Sequence, residues 1–120
     1  MTSRRSYVPE QGDIVSLEVH SRVDRRDTER LSALVISPAE YNRKTSLLIC
    51  CPIAPHTKGY PFEVPVRAQP SMDGVVLADQ VKSLEWEIRK ARRMAKATSR
   101  VLQDTVTKLR ALLNIHPSPD

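Results

Sequence analysis

Up to about residue 81 the apolar positions come in short bursts separated by polar, proline-bearing stretches. The first burst, Ile14-Val-Ser-Leu-Glu-Val19, follows the turn Pro9-Glu-Gln-Gly-Asp13 and predicts a strand. His20 to Glu29 is hydrophilic apart from Val23 and reads as an exposed, mobile loop. Arg30-Leu-Ser-Ala-Leu-Val-Ile36 is a second strand, ended by Ser37-Pro38 because proline restricts the residue before it. Residues 38–45 predict a short turn of helix with Pro38 in its first position. The near-continuous apolar run Leu47–Cys51 predicts a central strand covered on both faces. Phe62–Val66 is a fourth strand, placed at an edge or bulge by Pro65, and after a loop at 67–74 Val75–Val81 is a fifth.

Beyond residue 81 glycine is absent and proline is confined to the last few residues, so the pattern must be read from its spacing. Leu84, Trp86 and Ile88 alternate with Glu85, Glu87 and Arg89, which is strand spacing. Val101, Leu102, Thr105, Val106, Leu109, Leu112 and Leu113 follow helical spacing, with Thr98 or Ser99 as the N-cap. The region therefore divides into a strand near 82–90 and a helix near 98–114. Residues 1–8 and 115–120, with His116, Pro117 and Pro119, read as loose ends.

Composition narrows the class. A chain of 120 residues is the size of a single domain, here residues 1–120, with one modest core built mainly from Val, Leu, Ile and Ala. No apolar run approaches a membrane span, and the polar N-terminus has no signal-peptide core. Adjacent Cys50 and Cys51 would point to opposite faces of a strand, which fits buried, reduced thiols in a cytoplasmic protein.

The net charge is +5, and its excess lies in the last third, in Lys82, Arg89, Lys90, Arg92, Arg93, Lys96, Arg100, Lys108 and Arg110. A basic stripe of this kind serves phosphate, an acidic partner chain, or only a solvated face.

Six groups of residues then occur in a telling order. They are Tyr7-Val-Pro9 with Gly12-Asp13; Ala33-Leu-Val-Ile-Ser-Pro38; and Tyr41-Asn42 with Lys44-Thr45. Next come Lys58-Gly-Tyr-Pro-Phe-Glu-Val64; Gly74-Val-Val-Leu-Ala-Asp-Gln-Val-Lys-Ser83; and Trp86 with Arg89 and Ala91. Together they resemble the MazF/PemK family, toxin endoribonucleases of type II toxin–antitoxin pairs. The resemblance implies an α+β fold: a small, twisted, antiparallel and partly barrel-like sheet of SH3-like form with a C-terminal helix, assembled as a homodimer. It also implies sequence-specific cleavage of single-stranded mRNA without metal or cofactor, and an acidic, partly disordered antitoxin as partner.

In such a reaction the ribose 2′-OH attacks its own phosphodiester. That needs a proton acceptor, a proton donor and positive charge beside the phosphorane. The family supplies an arginine at the start of the second strand and a threonine after the third. Aligned on the motifs, those positions hold Leu31 and Ala54. Arg30 stands one residue early, which on a regular strand turns it to the opposite face; a bulge would be needed to bring it into place. His20 and His56, in loops that flank the family's RNA groove, are the other candidate catalytic groups, since histidines exchange protons near neutral pH. Lys58, Thr57, Lys82 and Arg89 are the candidate RNA-binding residues, with Lys58 equally readable as the start of the Gly-Tyr-Pro corner. Trp86 reads as core or dimer interface rather than a stacking platform, and Asp79 as structural. The alternative function is a catalytically degenerate protein of the same fold that binds RNA or antitoxin without cleaving.

Overall fold

The computed structural model describes residues 7–20, 26–68 and 72–114. The elements run β1 (Asp13–His20), β2 (Thr28–Val35), α1 (Ala39–Thr45), β3 (Leu47–Ala54), β4 (Glu63–Ala68), β5 (Met72–Leu77), β6 (Lys82–Glu85), β7 (Arg92–Lys96) and α2 (Ser99–Leu113). All strand pairs are antiparallel, in the order β4-β5-β3-β2-β1-β7, with β6 also on β3. Cys50 pairs with Val35 on one side and Lys82 on the other, so β3 is central as its unbroken apolarity predicts. β4 ends the order, and there Pro65 removes an N–H from a strand that has no second neighbour.

Strand alternation separates two cores. Ile14, Leu34, Cys51, Ile53, Val64, Val66 and Val76 face one side, closed by Ala97 and Val101 at the start of α2. Val15, Leu17, Ala33, Val35, Leu48 and Cys50 face the other and pack on Trp86. Truncating a fully buried side chain such as Leu34 to alanine would cost about 2–5 kcal/mol. The thiols divide between these cores, and burial raises Cys50 to about 12 and Cys51 to about 11, so both are inert packing groups.

Polar motif residues hold the scaffold together. Asn42 is fully buried: its Nδ2 donates to the Pro9 carbonyl at 2.8 Å, and its Oδ1 accepts from the Ser37 hydroxyl at 2.6 Å. The Trp86 indole N–H donates to the Asn42 carbonyl at 2.8 Å, which makes this ring core. Asp13, only 2% exposed, accepts from the Tyr7 hydroxyl and forms ion pairs with Arg93 and Lys96. Burial, followed by the hydrogen bond to the Asp13 carboxylate and its charge, pushes the Tyr7 phenol well above its ordinary range.

Several expectations are corrected. Tyr7 and Val8 are not loose; they pack against the Trp86 core. Most of the remaining terminal residues, including His116, and the centre of the first loop lie outside the described residues. Pro38 is the N-cap of α1, not its first residue. The stretch 67–74 is taken up largely by the ends of β4 and β5, and β5 stops at Leu77 in a turn rather than reaching Val81. The strand expected at 82–90 ends at Glu85. Trp86 turns into the core there, Ala91 N–H bonds back to the Trp86 carbonyl, and Lys90 takes a positive φ of 52°. β7 was hidden because only Ala95 of its residues is buried, while Arg93 and Lys96 are drawn in by Asp13.

Thr98 does cap α2, its side chain accepting from Val101 N–H at 3.2 Å. Asn114 closes the helix in the left-handed conformation.

Candidate functional site

The ladder between β1 and β2 runs without a shift from Ile14↔Leu34 to His20↔Thr28. Arg30 therefore shares a face with its partner Glu18 and with Ser16, and Leu31 points the other way beside Leu17. The Arg30 guanidinium donates to the Ser16 hydroxyl and carbonyl, both at 2.8 Å, and to the Lys90 carbonyl at 3.1 Å. It also pairs with Glu18 at 3.4 Å. No bulge brings Arg30 to the Leu31 position, and its donors brace β1 and the β6–β7 turn.

Leu31 and Ala54 are related by the next ladder. β2 pairs with β3 through Ala33↔Pro52, and the same register carried on sets Leu31 opposite Ala54. Beyond Pro52 no β2 pair forms, and the other edge of β3 is occupied by Val76 and Val75 of β5. That close approach requires Gly74, because a Cβ there would meet the Ala54 carbonyl oxygen at 2.6 Å. Both positions are half-buried and apolar.

At the open end of β1 and β2, Glu18, Val19, His20, Thr28, Glu85, Ile88 and Arg89 line a cleft of about 250 Å³. It brings His20 and Arg89 together. The turn carrying Arg89 is stitched to β1: Glu18 N–H donates to the Arg89 carbonyl at 2.8 Å, and the Arg89 guanidinium donates to the Glu18 carbonyl at 3.1 Å. The Arg89 Nε–H is buried and has no acceptor among the described residues, a loss worth about 1–3 kcal/mol. Ile88, 73% exposed, stands between this cleft and a smaller one of about 180 Å³ lined by Thr45, Ser46, Leu47, Glu85 and Glu87.

The remaining candidates lie elsewhere. Between β3 and β4 the chain wraps around the Glu63 carboxylate, which accepts from the Thr57 hydroxyl and from the Lys58 and Gly59 N–H groups. The Thr57 hydroxyl bond, followed by the backbone N–H bonds, holds the Glu63 carboxyl below its usual range. Thr57 is thus committed to Glu63, whereas the Lys58 ammonium and His56 have no side-chain partner among the described residues. Lys82 on β6 is likewise exposed and unpaired. Much of the basic stripe is spent internally: Arg93 and Lys96 on Asp13, Arg100 on Asp104, and Lys108 on the Pro61 carbonyl.

Against this geometry, residues 10–113 match the family described as the PemK-like, MazF-like toxin of type II toxin–antitoxin systems. The chain belongs to that family. Over 113 residues it is 38% identical to the endoribonuclease toxin MazF of Escherichia coli K12, covering 94% of this chain and 99% of that protein. The MazE–MazF crystal structure (Form II) from Deinococcus radiodurans superposes with a TM-score of 0.86 at 41% identity, covering 92% of this chain and all of the other. A mycobacterial endoribonuclease in complex with its cognate antitoxin shares the fold, with a TM-score of 0.74 at 18% identity, covering 92% of this chain and 99% of that one.

The regular β1–β2 ladder decides the position of Arg30, and Glu63 joins the candidate residues. Arg30 is adjacent in sequence to the family's arginine position but lies on the other face of the sheet. Glu63 went unnoticed as a site residue. Its signal was present: an acid directly after a Gly-aromatic-Pro-aromatic corner can reach back to the N–H groups that the corner leaves exposed.

Proposed function

We propose that this chain is the toxin of a toxin–antitoxin pair that cleaves single-stranded RNA by attack of the ribose 2′-OH. What carries this reading is 38% identity to an endoribonuclease toxin over nearly the whole of both chains, across a fold shared with MazF in complex with MazE. The chemistry needs proton exchange at the 2′-OH and the 5′-oxygen, and cationic donors at the phosphate. His20, lining the cleft, is the proton-exchanging group, and Arg89 beside it is the cation at the phosphate. Lys58 and Lys82 add contacts to the RNA backbone, and His56, on the loop after β3, stands with Lys58 rather than with the reacting phosphodiester. Arg30 contributes by holding β1 against the Lys90 turn.

By the same reading the protein works as a homodimer in the cytoplasm, held inactive by an acidic antitoxin segment on its unpaired basic residues. No helix among the described residues is long and apolar enough to cross a membrane.

The test is incubation of the purified protein with a long, mostly unstructured RNA in EDTA, with the fragment ends sequenced. Reproducible cuts at one short motif, with cyclic phosphate ends, are expected. Intact RNA would leave the apolar pair Leu31 and Ala54 as the mark of a binding protein that does not cleave.

A further inference from the structure

We propose that Glu63 and Lys108 are positioning residues, which together hold the loop after β3 so that Lys58 meets a phosphate of a bound single strand. This inference rests on the RNA-directed function above and assigns to two residues a part in substrate binding. The loop is fastened at two points by elements distant from it in sequence. At its start, the Glu63 carboxylate gathers the Thr57 hydroxyl, the Lys58 N–H at 3.0 Å and the Gly59 N–H at 3.2 Å. At its far corner, the Lys108 ammonium of α2 donates to the Pro61 carbonyl at 2.6 Å. Gly59, at a φ of +82°, lets consecutive N–H groups converge on one anion.

The consequence for the side chains is specific. The backbone of Lys58 is committed inward, while its ammonium has no partner among the described residues. Tyr60, at the same corner, is 60% exposed. A lysine on a loop fixed in this way loses less freedom on binding phosphate than one on a loose loop. Glu63 itself carries the wrong charge to touch RNA, so its effect must pass through the loop. This separates the proposal from simple electrostatics. Removing an acid raises the net positive charge and by itself tightens nucleic-acid binding. Loss of positioning weakens it.

The experiment is an anisotropy titration of a labelled single-stranded oligonucleotide with 2′-deoxy sugars, which lacks the attacking hydroxyl, across a salt series. Cleavage of the matching RNA is followed in parallel. Lys58→Ala is expected to bind about tenfold more weakly, with the salt slope reduced by about 1. Glu63→Ala is expected to show the same loss and the same reduced slope, and the double variant no further loss. Glu63→Gln, which keeps an accepting oxygen, is expected to retain most of the affinity. Lys108→Met is expected to weaken binding in the same direction. Protection of the Lys58 and Gly59 amides should disappear in Glu63→Ala while the melting temperature holds.

Glu63→Ala binding as tightly as wild type, or more tightly, overturns the proposal. So does a loss that adds to that of Lys58→Ala. Binding without cleavage would count against the nuclease reading and leave this inference to stand or fall on the variants. Absence of binding by the wild type overturns both.

Discussion

The cleft beside Arg89 and the loop around Glu63 hold their candidate side chains by different means. In the cleft, the walls are strands: β1 and β2 are paired to their ends, and Arg30 ties them together through a half-buried hydrogen bond to Ser16 and to the Lys90 turn through an exposed one. In the loop there is no ladder, and one solvent-exposed carboxylate with one lysine from α2 does the holding. Ladder geometry survives the loss of a side chain, because the backbone bonds remain. The loop depends on individual side-chain atoms. The cleft should therefore respond to substitution mainly through its chemistry, and the loop mainly through its shape.

The sharpest way to break this comparison is to place a polar pair at Leu31 and Ala54, which line neither the cleft nor the Glu63 clasp. Leu31→Arg with Ala54→Thr should raise the cleavage rate about a hundredfold if the missing transition-state donor limits turnover, as measured by single-turnover rates. An unchanged rate would mean that His20 and Arg89 already supply what those positions would add.

A nearly equal effect of opposite sign is expected from His20→Asn, which should lower the single-turnover rate about a hundredfold if the cleft holds the proton-exchanging group. His56→Asn, on the loop side, should change the rate much less. The reverse order would move the chemistry from the cleft to the loop.

Arg30→Ala sharpens the structural half of the comparison. Loss of its bonds to Ser16 and Lys90 should destabilise the fold by about 2 kcal/mol, with the Glu18 ion pair discounted for its exposure. Denaturant melts would measure this, and per folded molecule the RNA-cleaving rate should fall little. Arg30→Lys should recover part of the charge but not the forked geometry.

The smallest effect is one of pH. The Glu63 carboxyl is lowered in the folded loop, so its bracing is complete above the ordinary glutamate value of about 4.3 and is lost as pH falls through the lowered one. The Lys58 and Gly59 amide shifts should follow that acidic titration, with no change at neutral pH.

Much of the fold could be read before any coordinates. Short apolar runs located β1 to β4, Pro65 marked an edge, helical spacing with Thr98 located α2, and the ordered motifs pointed to the family. These features are local: a residue's propensity, its cap and the period of its neighbours depend on a few consecutive positions. Three features were not local. β7 exists as a strand because β1, far away in sequence, pairs with it from Asp13↔Lys96 to Ser16↔Arg92, with Asp13 also holding Arg93 and Lys96. Arg30 braces the sheet, and does not fill the Leu31 position, because the β1–β2 register runs without a bulge. The loop at Lys58 has its shape because Glu63 and Lys108 arrive from β4 and α2. The chain's composition and periodicity determined which segments become strands and helices. Which charged side chains stay free, and which are spent on the scaffold, was decided only by tertiary pairing, because an ion pair or backbone clasp depends on distance in space.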